Sequence, residues 1–241
     1  MGRLCPIVVV ALALSFAVCS LDCSAASPHL ALKNPALLRE MDGRQIWYGS
    51  YDFWLEQVSV IYVEYDEVAQ GYGAFLCRFD QNKQNVVWSY AGARSVGNLG
   101  IGLGVHRSVL DGGDWWLDLG LAYDLQGLLT HAAIRQIPIT RLGKVSDEAE
   151  LIIGAEIELI RDYLTVGVDS IFADKPRYQP YAIVSLIPEL ECKVFGTFDP
   201  DWSETGSELT VLLGDTFIEL EYRYNRSSKD SQVMIGVGQK F

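Results

Sequence analysis

The sequence predicts an all-β protein, a single antiparallel sheet of 12 to 14 strands closed into a barrel, and three observations carry that expectation. From Arg44 onward the chain breaks into extended runs of about 8 to 11 residues separated by Gly, Asp, Asn and Pro clusters. Several runs alternate strictly between apolar residues and small or polar ones, as they must when successive side chains leave a strand on opposite faces. The connections alternate between tight turns and longer polar loops. A chain of 241 residues is enough for one such domain, since all-β domains of this size are commonly single.

The last strand, 232–241, fixes the pattern. Val233, Ile235, Val237 and Phe241 point one way, and Met234, Gly236, Gly238 and Lys240 the other. An apolar outer row, a small or charged inner row and a terminal Phe resemble the closing strand of Gram-negative outer-membrane β-barrel proteins. The resemblance implies a transmembrane, porin-like barrel set in outer-membrane lipid, with Phe241 presented to the barrel assembly machinery. Size and hairpin pattern are similar also to the YfaZ-type outer-membrane proteins, without a diagnostic motif.

Read back from Phe241, strands fall near 232–241, 216–225, 208–214, 189–198, 178–187, 163–171, 150–160, 132–140, 115–125, 97–107, 86–93, 71–79, 55–65 and 44–51. The count is even, as bacterial barrels require; without the short runs 44–51 and 208–214 it is twelve. Arg161-Asp162, Pro188 and Gly214-Asp215 make tight turns at one end. Longer polar loops, 80–85, 108–114, 141–149, 199–207 and 225–231, fall at the other. Short periplasmic turns with longer external loops are the asymmetry of membrane barrels.

Ahead of the barrel, residues 1–26 read as a secretory signal peptide: Arg3, an apolar run from Pro6 to Val18, then the small residues Ser24, Ala25 and Ala26. That run is short of the roughly 20 residues a helix needs to span a bilayer. Cys19 and Cys23 follow Val18 and Asp22, not the Gly, Ala or Ser of a lipoprotein signal, so no lipid anchor is expected. Cleavage leaves Cys77 and Cys192, in separate apolar runs, as lone thiols. Residues 27–43 form a separate segment. Asn34 as cap, Pro35 at the first helical position and Gly43 as terminator predict one short helix, whose face Leu37, Leu38 and Met41 fits the barrel mouth. Its Asn34-Pro35-Ala36 start resembles the amino-terminal hatch of the fatty-acid channel family. The barrel then takes 44–241.

Charge excludes one class of partner. The formal net charge is -12 and no basic cluster offsets it, so nucleic acid is set aside. The negative charge concentrates on one face of the strands. Leu99, Ile101, Leu103 and Val105 face lipid, against Gly100, Gly102, Gly104 and His106 inside. Trp115 to Tyr123 at odd positions face lipid, with Asp118 and Asp124 inside; Leu151 to Leu159 oppose Glu156 and Glu158; Ile218 to Tyr224 at even positions oppose Glu219, Glu221 and Arg223. A soluble sandwich would carry these carboxylates on its solvent face, so the alternation by itself leaves both open. Aromatics separate the two readings. Phe79, Trp88, Trp115, Phe172, Tyr178, Phe198, Tyr222 and Tyr224 gather at external strand ends, and Tyr62, Tyr65, Tyr72, Tyr90, Tyr123, Tyr163 and Phe241 near the periplasmic ends, as two interfacial belts.

Asp118, Asp124, Glu156, Glu158, Asp169, Glu219 and Glu221 are thus expected to line an acidic lumen, with Arg78, Arg223 and Lys240 as inward cations. Free carboxylate rings select cations in a water-filled pore; paired with those cations they close it. Both arrangements fit the sequence. Gly100-x-Gly102-x-Gly104 lacks a following helix, so it is a wall without side chains that makes room for a neighbour or a passage, not a dinucleotide site. His106-Arg107-Ser108 is the arrangement nearest to catalysis, a base beside a hydroxyl. Outer-membrane lipid A deacylases of the PagL type look similar in carrying His-x-Ser on a strand, but Arg107 and Val109 depart from that family's pattern. Asp111 to Asp114, and Asp199, Asp201 and Glu204, are acidic loop groups without calcium-loop spacing, so no metal is expected.

The reading that joins these observations is a monomeric outer-membrane channel for passive diffusion of small solutes, with cation preference and no cofactor. A plugged structural or adhesion barrel, a membrane-embedded lipid enzyme using His106 and a soluble periplasmic β-protein are the alternatives.

Overall fold

The computed structural model describes residues 33–41, 43–51, 57–67, 70–80, 85–109, 115–125, 127–139, 149–199 and 202–241. The expected signal peptide 1–26, the acidic loop Asp111 to Asp114 and Asp201 lie outside the described residues.

Fourteen antiparallel strands close into one barrel, each paired with its neighbours in sequence and β1 paired with β14. They are β1 (Gln45–Tyr51), β2 (Gln57–Asp66), β3 (Gly71–Asp80), β4 (Asn85–Val96), β5 (Leu99–Ser108), β6 (Trp115–Asp124) and β7 (Leu128–Pro138). Then come β8 (Glu150–Ile160), β9 (Leu164–Phe172), β10 (Arg177–Ile187), β11 (Leu190–Phe198), β12 (Trp202–Leu213), β13 (Thr216–Asn225) and β14 (Asp230–Lys240). The seam runs from Gln45 opposite Lys240 to Tyr51 opposite Met234. Closure removes the sheet edges, whose backbone groups would otherwise have no partner in an apolar solvent.

Each expected run is a strand, and the twelve-strand count falls away. The largest boundary difference is β12, which begins at Trp202 instead of near 208 because the polar stretch ahead of Glu208 keeps pairing with β11, as far as Trp202 opposite Phe198. Polar residues remain in register there because Glu204, Gly206 and Glu208 all take the inward position. The loop expected over 199–207 shrinks accordingly. One end of the barrel carries the tight turns, including Arg161–Tyr163, Pro188-Glu189 and Gly214-Asp215, together with both ends of the described sheet; we call it the turn end, and the opposite one the loop end.

Outside, the strands present apolar side chains to the surroundings. Ile101, Leu103, Leu119, Leu121 and Ile153 are each between 44 and 50% exposed, while their inward neighbours Gly100, Ala122 and Ile152 are buried. A continuous apolar belt of this kind is stable only against an apolar solvent, which removes the soluble sandwich. Phe79, Trp88, Trp115, Phe172, Tyr178, Phe198 and Tyr222 are exposed on this surface. Tyr65 and Tyr72 correct the expected belt. They share the inward parity of Val63 and Ala74, lie against each other with ring centroids 4.8 Å apart and planes tilted by 54°, and Tyr72 packs on the interior cluster.

The expected helix is a 3₁₀ helix, Pro35–Glu40, and it sits inside the barrel. Six residues form only about two turns, too few to propagate an α-helix. Asn34 caps it by accepting the Ala36 N–H at 2.9 Å. The Asn34 amide also donates to the carbonyls of Leu121 and Ala132, both at 3.1 Å, which ties the helix start to β6 and β7. Its seat is the glycine wall: a Cβ on Gly102 would lie 2.2 Å from the Ala36 nitrogen, and one on Gly120 would lie 1.9 Å from Asn34 Oδ1. The neighbour for which the glycines make room is therefore the chain's own amino-terminal segment.

Candidate functional site: the barrel lumen

Two kinds of filling divide the lumen. From the turn-end part of β12 and β13 through β14 and β1 to β6 it is packed. Leu38 and Met41 of the inner helix join Trp47, Ile61, Val63, Ala74, Leu76, Phe217 and Met234 in one buried cluster. Trp47 has no exposed surface and lies over Gly49 and Gly236, where an added Cβ would fall 2.1 and 2.6 Å from its ring. Its indole N–H donates to Glu219 Oε2 at 2.7 Å.

From β5 round to β13 charged groups take inward positions among glycine and apolar ones, and pairing dominates. Asp118 is 2% exposed; it accepts the Gln136 N–H at 2.8 Å, faces His106 Nε2 at 3.0 Å and lies 3.7 Å from Arg135 Nε. A register shift makes this possible. Opposite Asp118, β7 carries an extra residue, with Gln136 at φ +59°, and the bulge brings Arg135 and the Gln136 N–H onto one carboxylate. The chain of charges continues: Arg135 lies 3.8 Å from Glu150, to which Arg177 Nη2 donates at 2.8 Å.

Asp169, 4% exposed, stands 3.2 Å from His131 Nε2 and 3.7 Å from Lys33 Nζ, so the residue ahead of the inner helix reaches β9. Tyr181 O–H donates to Glu156 Oε2 at 2.8 Å under the Lys193 ammonium, 4.9 Å above the ring. Glu221 contacts Arg223 Nε, and Arg223 Nη1 lies 3.6 Å from Glu204. Isolated carboxylates at this depth would be costly, and these contacts are how the fold meets that cost.

Below the paired groups, toward the turn end, lies a cavity of about 880 Å³ between β8 and β12. Glu156, Glu158, Glu189 and Glu191 give it a negative lining, with Ile183 and Leu212 as apolar wall, and turn residues Asp162 and Pro188 at its rim place its mouth at that end. Among the described residues the packed cluster reaches this cavity only at its wall, through Leu212.

The sequence-selected residues thus separate into distinct settings. Asp118, Asp169, Glu219 and Glu221 are buried and engaged; Glu156 is engaged at the head of the cavity. Glu158 and Asp124 sit at turns, where Glu158 Oε1 accepts the Asp162 N–H at 2.6 Å and Asp124 Oδ1 the Gly127 N–H at 3.4 Å. Arg223 is inside the charged half, Arg78 is exposed near the loop end, and the Lys240 ammonium nitrogen is buried near the turn end. His106 takes Ser89 as its hydroxyl partner, Nδ1 to Oγ 2.7 Å, and not Ser108, which is two residues along the same strand and also buried. Among the described residues no three His, Cys, Asp or Glu side chains converge to hold a metal.

Sequence reasoning missed Lys33, Ser89, His131, Arg135, Glu150, Arg177 and Glu191. Parity along each strand placed some of them inward, but which of them meet is set by strand register, which one strand's pattern does not contain.

Comparison with known proteins finds this architecture again. No family model matches the chain, and no curated protein matches its sequence; the YfaZ-type resemblance is without support. The toluene transporter TbuX of Ralstonia pickettii matches in structure with a TM-score of 0.65 at 11% identity, over 92% of this chain and 96% of that one. The outer membrane protein Omp33 of Acinetobacter baumannii matches with a TM-score of 0.59 at 8% identity, over 82% of this chain and 96% of that one. A mutant Rh. blastica porin gives 0.50 at 10% identity, over 82% and 98%. At such identities the likeness shows the fold, a closed antiparallel barrel of the outer-membrane kind.

Proposed function

We propose that the protein is an integral outer-membrane channel for small polar solutes, with cations favoured, whose passage runs along the β8 to β12 side of the lumen. The observation that carries this reading is the acidic cavity on the side that the inner helix and the Trp47 cluster leave unfilled. Diffusion needs no cofactor, and carboxylates at the mouth raise the local concentration of cations. The belt of exposed apolar residues, the resemblance of the last strand and the channel-forming neighbours support the membrane setting. Residues 1–26 would be the export signal, and Phe241 the contact for the barrel assembly machinery.

Planar-bilayer recording of the folded mature protein tests this. Discrete steps with cation preference, reduced when Glu158 and Glu191 become Gln, are expected. A barrel that shows a heat-shift on gels yet conducts nothing would contradict it and leave the plugged structural barrel.

A second reading rests on the inner helix. Asn34-Pro35-Ala36 resembles the hatch of the fatty-acid channels, it lies inside the lumen, and TbuX is a toluene transporter. On that reading the cargo is apolar. Uptake of toluene or a fatty acid into vesicles without ionic conductance would favour it.

A further inference from the structure

We propose that Ser89, His106 and Asp118 form a serine nucleophile site that opens carboxylic esters reaching the lumen. Three inward residues on three successive strands, β4, β5 and β6, make it. Ser89 stands opposite His106 in the β4 to β5 register, and the two are 2.7 Å apart from Oγ to Nδ1. On the far side of the ring, Nε2 lies 3.0 Å from Asp118 Oδ2.

The Nε2 contact with Asp118 is a charge contact and not an aligned hydrogen bond. With the ring proton on Nε2, beside the carboxylate, Nδ1 keeps its lone pair toward the serine hydroxyl. The Asp118 carboxylate in turn accepts the Gln136 N–H and lies 3.7 Å from Arg135 Nε. The imidazole is fixed in plane by Trp116, stacked at 5.5 Å and 9°. A nucleophile, a base and an orienting carboxylate within hydrogen-bond reach are the parts that acyl transfer requires, whatever fold supplies them.

The step balances with water as the only co-reactant. Ser89 Oγ adds to the ester carbonyl carbon as its proton passes to His106 Nδ1, while Asp118 stabilises the imidazolium through Nε2–H. The adduct collapses, the C–O bond to the alcohol breaks, and the departing alkoxide takes the proton from Nδ1. Water then adds to the acyl group on Ser89, giving a proton to Nδ1. Its collapse releases the carboxylic acid and returns that proton to Ser89 Oγ. Esters are the class this site suits, since an alkoxide leaves more readily than an amide nitrogen. The site is independent of the channel reading, as its readout is chemical and not electrical.

The folded protein in detergent would be treated with a biotinylated fluorophosphonate and digested for mass spectrometry, and separately assayed on p-nitrophenyl butyrate and on phosphatidylcholine in mixed micelles. The expected result is a phosphonyl adduct on Ser89 and hydrolysis that falls about a hundredfold or more in Ser89→Ala, the scale of a lost base-nucleophile pair. Turnover of the soluble ester alone assigns free small esters, and of the phospholipid alone a membrane acyl chain; either supports the site. Absence of the adduct in wild-type barrel with an intact heat-shift, together with equal background rates in wild type and Ser89→Ala, would overturn it.

Discussion

The two halves of the lumen wear the same apolar belt outside and obey the same alternation, yet they are filled by opposite chemistry. Near β1, small residues and large apolar ones interlock: Trp47 lies over Gly49 and Gly236, and the inner helix rests on Gly102 and Gly120. From β8 to β12 the inward row carries carboxylates among neutral residues, partners are found across strands, and a cavity of about 880 Å³ remains. A membrane barrel of this kind is closed by packing on one side and narrowed by charge pairing on the other. Stability should therefore depend on the first side and transport on the second.

Trp47→Ala should have the largest effect on stability. Losing a fully buried Trp costs about 3–5 kcal/mol, and Glu219 loses its indole donor as well. Urea unfolding in lipid vesicles measures it; a loss within about 0.5 kcal/mol, as for a surface change, would break the comparison. Gly102→Leu comes next. The side chain would enter the space of Ala36, and overpacking of about 1–3 kcal/mol should drive the inner helix off its seat, read as faster proteolysis ahead of β1. Asn34→Ala removes a cap and the two hydrogen bonds its amide donates to β6 and β7, and should cost about 0.5–2 kcal/mol in the same unfolding assay. Glu158→Gln, at the cavity rim, should leave stability within about 0.5 kcal/mol, because an amide oxygen still accepts the Asp162 N–H, while lowering cation preference in reversal-potential measurements.

The same contrast explains what was legible in the sequence. Alternation together with the turn clusters located the fourteen strands, and alternation gave the faces of several of them, because every strand must show lipid an apolar row. The glycine run announced a close neighbour, and Asn34-Pro35 announced a helix start. What the sequence withheld depends on register between distant residues. Asp118 meets Arg135 and Gln136 through a bulge that β7 does not signal, Lys33 reaches Asp169 across the lumen, and His106 selects Ser89 over the sequence-adjacent Ser108. The length of β12 was hidden for a related reason, since its first half is polar and pairs only because β11 stands beside it.

The most direct test places a thiol in each half. Cys77 and Cys192 would first be changed to Ser, and Ser185→Cys in the cavity wall compared with Ala91→Cys in the packed cluster while a trimethylammonium methanethiosulfonate is added to the turn-end side of a single channel. The account predicts that current through Ser185→Cys drops to half or less, and that Ala91→Cys is unaffected. Block at Ala91→Cys with none at Ser185→Cys would put the passage on the wrong side of the barrel and contradict the account.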